Sequence, residues 1–376
     1  MPVSIIMGNH REGRYMSAPP RWPLRVGLVG YGFAGRTFHA PLINATPGLE
    51  LAAVCSRQRD AVLHDWPQVT VTPTPDALFT LPDLDMVVIA TPNTTHADLA
   101  IAALRAGLHV VVDKPFTTTL EQARAVARVA RKQGRFLSVF QNRRWDSDFL
   151  GIRNLITTGQ VGRVTELESR MDRFRPLVRE RWRETDAAGS GLWFDLGPHM
   201  ADQALHLFGL PDLVQASLAS LRDNARGDDW AQILLIYGER RVSLHCSLLA
   251  AWAGPRFVVQ GTHGTIVKRH ADQQENQLRA GMRPGDPGWG DDPDDMLVFD
   301  GTDTPRALPA PPGDQRIYYA MLRDAIMGRG HNPVPPIQAV ALMAVMETCV
   351  ESSRRQMALP LPLTEQERQD WLQGTP

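Results

Sequence analysis

Cysteine is scarce in this chain, with three in 376 residues. Cys55, Cys246 and Cys349 are too widely separated for a disulfide framework or a zinc-like spacing, and such usage suits a reducing compartment. An excess of charge of either sign is also lacking. Forty Lys and Arg stand against 41 Asp and Glu, a net charge of −1, which gives no electrostatic case for nucleic acid or an anionic membrane surface. No apolar run approaches the roughly 20 residues of a membrane span. His245, His263 and His270 are scattered, and His245 and Cys246 point to opposite faces of one strand, so no metal site is expected. There is no internal repeat. Residues 1–23 hold only Ile5-Ile6-Met7 as an apolar core, too short for a signal peptide, and read as a flexible leader or as lying partly upstream of a true start at Met16. A cytoplasmic globular protein is the expectation that remains, long enough for two domains.

The first half reads as strands alternating with helices. Leu24 to Val29, Leu49 to Cys55, Asp85 to Ala90 and His109 to Val112 are apolar runs, and Phe136 to Phe140 is a sixth strand of the series. Ala97, Ala100, Ile101 and Leu104 fall at helical period before Gly107, and Ala123, Val126, Ala127 and Ala130 do so before Gly134. Continuously apolar strands joined by helices describe a parallel sheet covered on both faces. After about residue 145 the pattern changes to period two, as in Val242, Leu244, Cys246 and Leu248 against Ser243, His245 and Ser247. That alternation marks half-buried antiparallel strands. The expected plan is an α/β Rossmann domain over 24–145 and an α+β domain with a large, mainly antiparallel open sheet over 146–335. A helix over 336–358 packs back near the first domain, and 359–376 is a tail. Residues 281–313, rich in Gly, Pro and Asp, read as a long loop.

Gly30, Gly32 and Gly35 follow the first strand with the spacing of a dinucleotide fingerprint, Phe33 and Ala34 lying between them. In it the first glycine turns the chain, the second admits the pyrophosphate and the third lets helix and strand pack closely. The second strand ends in Ser56-Arg57 where an NAD-selective site usually has an acidic residue; a hydroxyl and a guanidinium suit the 2′-phosphate of NADP, with NAD the alternative. Thr91, Pro92, Asn93 and His96 follow the fourth strand and are placed as the nucleotide wall. Asp113-Lys114-Pro115 ends the fifth strand, putting an amine at the carboxyl edge of the sheet, where such folds bind ligands.

A second dense segment runs from Gly189 to Asp202. Pro198 suits the first turn of a helix, which would set His199 near that helix's positive end and favour a neutral imidazole. Asp195 can orient that ring. With these motifs the chain resembles the Gfo/Idh/MocA oxidoreductases from about residue 24 to 358. The segments carrying the resemblance are Gly30 to Gly35, Thr91-Pro92-Asn93 with His96, Asp113-Lys114-Pro115 (usually Glu-Lys-Pro in the family) and Asp195 through His199 to Asp202. Arg36 to Leu42, Asn142 to Asp146 and Asp172 to Pro176 look like a subgroup that includes NADP-dependent scyllo-inositol dehydrogenases.

The resemblance implies that Lys114, Asp195 and His199 form the catalytic group, with hydride transfer between a secondary alcohol of a polyol or sugar and a nicotinamide. Candidate substrate contacts are Lys114, Arg143, Arg144, Asp146, Arg173, Arg175 and His96. Trp182 and Arg183 meet either substrate or cofactor. Inositols come first because of the subgroup, although an arginine-rich pocket also suits an acidic sugar such as a uronate. A non-catalytic dinucleotide-binding regulator and an NAD-dependent glycoside-cleaving relative are the alternatives. A homodimer or homotetramer through the open sheet face is expected.

Overall fold

The computed structural model describes residues 22–179, 184–185, 187–302 and 304–374. Six parallel strands form the first sheet: β1 (Leu24–Val29), β2 (Leu49–Cys55), β3 (Thr70–Thr72), β4 (Met86–Ile89), β5 (His109–Val112) and β6 (Leu137–Val139). Their order is β3-β2-β1-β4-β5-β6. β1 pairs with both β2 and β4, so the winding reverses between β1 and β4, and the crevice over their carboxyl ends is where such sheets bind ligands. β4 is buried at every position, as a strand covered on both faces must be. The helix Leu120–Gln133 shows why its ends fall where they do. Thr119 accepts the Gln122 N–H at its start, and Gly134 takes a left-handed φ of 61° at its end.

Eight further strands form the second sheet: β7 (Val164–Arg170), β8 (Leu213–Ala219), β9 (Trp230–Tyr237), β10 (Arg240–Ser247), β11 (Phe257–Gly261), β12 (Gly264–Lys268), β13 (Met296–Phe299) and β14 (Arg306–Leu308). The order is β14-β13-β12-β11-β7-β10-β9-β8, antiparallel except for the parallel pair β7 and β10. Val242, Leu244 and Cys246 of β10 are buried while Ser243 and His245 are half-buried, the alternation of a sheet with one covered face. The helices Gly191–Phe208 and Pro336–Arg355 supply that cover, and the second also packs on Leu120–Gln133, joining the two domains.

Two segments depart from the sequence reading. The stretch 281–313 is not all loop, since β13 and β14 lie within it; short runs flanked by Gly, Pro and Asp carry little periodic signal. The C-terminal tail contains the helix Glu365–Gly374, held by Arg124, whose Nε and Nη2 donate to the Glu367 carboxylate at 2.7 Å each, and by buried Trp371. Among the described residues no helix is long and apolar enough to cross a membrane.

Candidate active site

After β1 the chain turns at Gly30, with φ +100°; a Cβ there would stand 2.5 Å from the Ala90 carbonyl oxygen across the switch point. A Cβ on Gly35 would stand 2.1 Å from the Gly30 oxygen, so the helical turn Gly35–His39 can pack on the loop only without one. Gly32 differs, because nothing lies within 4 Å of the Cβ it lacks. The protein's own packing does not require glycine there, and the bare backbone is open to a ligand. Two glycines fixed by packing and one left open fit a pyrophosphate cradle. Phe33, 56% exposed, and Ala34 continue from it into a cleft of about 820 Å³ between the domains.

The remaining expected cofactor residues divide. Ser56 is half-buried and its Oγ accepts the Gln58 N–H at 3.0 Å, while Arg57 is exposed and has no hydrogen-bond or ion-pair partner among the described residues. Thr91 Oγ1 bonds Thr95 Oγ1 at 2.7 Å, and Pro92 opens the short turn Asn93–Thr95. Buried Asn93 donates from Nδ2 to the Gly189 carbonyl at 2.8 Å, tying this loop to the second domain. His96 is a correction. It is 1% exposed and its two ring nitrogens meet the carbonyls of Pro115 and Thr91, each at 2.9 Å. It clamps the loop after β4 to the loop after β5 and leaves no face for a ligand.

Lys114 crosses the cleft. Its Nζ donates to the Asp195 carbonyl oxygen at 2.7 Å and to Asp195 Oδ1 at 3.2 Å. Asp113, beside it, accepts the Lys114 N–H at 2.9 Å, with the His39 ring nitrogen 3.6 Å away. Burial works to raise the Asp113 pKa, but His39 and the positive charge of Lys114 outweigh it, and the carboxyl is held below its ordinary range. His39 Nδ1 meets Tyr319 Oη at 2.6 Å. Burial keeps the Tyr319 phenol protonated, so it donates to Nδ1 and leaves the other ring proton facing Asp113. Neither His39 nor Tyr319 is among the expected site residues, because only folding brings residue 319 beside residue 39.

Asp195 and His199 stand one turn apart on the same face of the helix Gly191–Phe208. This corrects the expected helix start. Pro198 lies inside the helix, and His199 is two turns from its positive end. The start is capped from elsewhere: Asp228 Oδ2 accepts the Trp193 N–H at 2.6 Å and its carbonyl accepts the Leu192 N–H at 2.8 Å. The His199 pKa is nonetheless well below its ordinary value, first through burial and then through the charges of Lys114, Arg143, Arg256 and Arg173. The imidazole is neutral for reasons of solvation and surrounding cations, without help from the helix dipole. His199 Nδ1 is buried without a hydrogen-bond partner, so no bond from Asp195 reaches that nitrogen.

Of the expected substrate contacts, Arg143, Arg173 and Arg175 line the cleft with Lys114, Asp195 and His199. Arg173 Nη1 lies 4.0 Å from Asp195 Oδ2. Arg143 is already held, through Nη1 to Asp146 at 2.9 Å and Nη2 to Glu275 at 2.7 Å. Asp146 and Arg144 are corrections, since neither reaches the cleft. Asp146 is 1% exposed and accepts from Gln315 Nε2 at 2.7 Å. Arg144 forks onto Asp202 at 2.8 and 2.6 Å and spends Nη1 on Gln338 and the Pro333 carbonyl. Trp182 and Arg183 lie outside the described residues.

A dinucleotide cradle and a lysine on one wall, facing a carboxylate and a neutral imidazole on the other, is the plan of a two-domain nicotinamide-dependent oxidoreductase. Two family models match the chain: the oxidoreductase family NAD-binding Rossmann fold over residues 24–141 and the oxidoreductase family C-terminal alpha/beta domain over 153–363. The uncharacterized oxidoreductase YdgJ of Escherichia coli (strain K12) is 49% identical over 341 residues, covering 90% of this chain and 99% of that protein. The scyllo-inositol 2-dehydrogenase (NADP(+)) IolW of Bacillus subtilis (strain 168) is 32% identical, covering 90% and 96%. A crystal structure from Klebsiella pneumoniae superposes with a TM-score of 0.89 at 50% identity, covering 95% of this chain and all of that one. The chain belongs to the Gfo/Idh/MocA oxidoreductase family, whose members act on CH–OH groups with a nicotinamide cofactor.

Proposed function

We propose that the protein is an NADP-dependent dehydrogenase of a polyol or sugar, inositol-type substrates first. The reading rests above all on Lys114 reaching across the cleft to Asp195, one helical turn from a neutral His199. NADP is favoured over NAD by Arg57, an exposed guanidinium with no partner among the described residues, directly after β2. The inositol preference draws on IolW, a scyllo-inositol 2-dehydrogenase.

Bound at Gly30 to Gly35, the nicotinamide cofactor supplies the hydride acceptor. In the oxidative direction His199 takes the hydroxyl proton; its lowered pKa keeps it ready to do so at neutral pH. Lys114 hydrogen-bonds the reacting oxygen and stabilises negative charge developing there. Asp195 holds the Lys114 ammonium in place and accepts from a neighbouring substrate hydroxyl. His39 and Tyr319 steady Asp113 and hence the backbone from which Lys114 projects. Two copies joined through the open faces of their eight-stranded sheets are the assembly this reading favours.

The test follows nicotinamide absorbance with NADP and NAD separately, across inositol isomers and aldoses, for the wild type and Arg57→Ser. NADP should be preferred by at least about tenfold, the worth of one charge-assisted contact, and the variant should lose that preference. NAD preference in the wild type contradicts the NADP assignment, and no turnover with any polyol or sugar contradicts the dehydrogenase assignment.

A further inference from the structure

The cleft is far more basic than the chain that forms it. Among its described lining residues are eight Lys and Arg against five Asp and Glu, in a protein whose net charge is −1. Its carboxylates are largely engaged. Glu275 is bonded to Arg143 at 2.7 Å, Asp195 to Lys114 at 3.2 Å and Glu184 to Arg222 at 3.0 Å. Asp228 is pushed up to about 6 by burial, with the neighbouring charge of Asp229 adding to it, and its Oδ2 is engaged by the Trp193 N–H at 2.6 Å. Besides Arg279, at the end of the short helix Gln274–Arg279, three guanidinium groups are left over on the second domain's wall. Arg173 has only the 4.0 Å approach to Asp195, and the side chains of Arg179 and Arg226 have no partner among the described residues.

These three are drawn together by a fourth. Arg222 is 7% exposed and forks between Asp229 at 2.9 Å and Glu184 at 3.0 Å, while its Nη1 donates to the carbonyls of Arg175 at 3.1 Å and Leu177 at 3.2 Å. It thereby fixes the segment bearing Arg173 and Arg179 against the loop bearing Arg226. The dinucleotide's phosphates have their own partners at Gly30 to Gly35 and Arg57 on the first domain. Cations on the opposite wall, beginning beside Asp195, are placed for a group on the substrate.

We infer that the substrate is a polyol or sugar carrying an anionic substituent, a carboxylate or a phosphate, received by Arg173, Arg179 and Arg226 on a platform that Arg222 positions. The inference rests on the dehydrogenase reading above and narrows its substrate class. A charge-assisted contact contributes on the order of 1.5–3 kcal/mol, so the anionic substrate should exceed its neutral parent by about 10- to 100-fold.

The experiment compares glucose with glucuronate and glucose 6-phosphate, and myo-inositol with a myo-inositol monophosphate. Each pair is measured for kcat/KM with NADP and, by calorimetry, for binding to the NADPH-loaded enzyme. One anionic series should win by tenfold or more, and the carboxylate and phosphate arms identify which group is read. Raising salt from about 0.05 to 0.5 M should shrink that advantage, as screening requires. Arg226→Gln and Arg179→Gln, at exposed positions, should each lower the anionic-to-neutral ratio several-fold. Neutral parents turned over as well as their anionic forms overturn this inference and leave the dehydrogenase reading standing. Absence of both turnover and binding across the whole set overturns the two together.

Discussion

Arg144 and Asp202 offer a test that separates a substrate contact from a structural bolt. The Arg144 and Asp202 side chains are 5% and 4% exposed, and the fork between them has bonds of 2.8 and 2.6 Å. Asp202→Asn keeps the size and removes the charge, leaving a guanidinium buried with no carboxylate. Breaking one partner of such a pair costs about 3–5 kcal/mol. An unfolding entropy near 2.1 cal/mol/K per residue gives about 0.8 kcal/mol/K for a chain of this length, so Tm should fall by about 4–6 °C. Scanning calorimetry of the cofactor-free protein reads that shift, and polyol KM at a temperature well below both transitions should stay within about twofold, since neither residue borders the cleft. An unchanged Tm with a raised KM would refute the reasoning and return Arg144 to the substrate.

Gly32→Ala should weaken NADP binding by tenfold or more with Tm unchanged, because no protein atom opposes the added Cβ; Gly35→Ala, aimed at the Gly30 oxygen 2.1 Å away, should lower Tm as well. Equal NADP affinity in Gly32→Ala would remove the cradle. His109 accepts the Phe136 N–H at 3.0 Å, and burial, helped by the nearby charge of Arg135, lowers its pKa to about 4. The unfolded ring binds a proton below about 6.5 that the folded ring refuses, so wild-type stability falls as pH drops from 6.5 toward 4. By linkage this site alone contributes about 2 kcal/mol of loss between pH 7.5 and 5.0, and His109→Gln should remove that share in denaturant titrations. Identical pH dependence in the two proteins would contradict it. Asp228 has the opposite sign. Its folded pKa of about 6 exceeds the unfolded value, so its contribution is present in acid and is lost as pH rises through 6. Asp228→Asn, which still accepts the Trp193 N–H, should therefore stabilise the protein by about 2–3 kcal/mol at pH 7.5 and by little at pH 4. A destabilised variant at pH 7.5 would show that the charge is needed.

The first domain was readable because its signals are local. Apolar strands, the helical spacing of Ala123 to Ala130 and the glycines at 30, 32 and 35 each report their own surroundings. Legibility fell where the deciding partner is remote. Pro198 reads as a helix start, but the helix begins seven residues earlier because Asp228, 35 residues from Trp193, caps it. Arg143, Arg144 and Arg173 are alike in sequence, and only folding commits the first to Glu275 and the second to Asp202 while leaving the third facing the cleft. His96 has the composition of a ligand contact and the position of a clamp. The ladder from Tyr319 through His39 to Asp113 joins segments 280 residues apart and has no sequence signal at all.

The central claim, that Lys114 and His199 are members of one reacting group, is tested most directly by Lys114→Met and His199→Asn. Each is assayed by NADP reduction with the best polyol or sugar substrate and by NADPH binding measured through fluorescence. Both variants should bind NADPH and melt within a few degrees of the wild type, yet turn over at least about 100-fold more slowly, the range for losing an acid–base or oxyanion partner. Turnover near the wild-type rate in both would contradict the account.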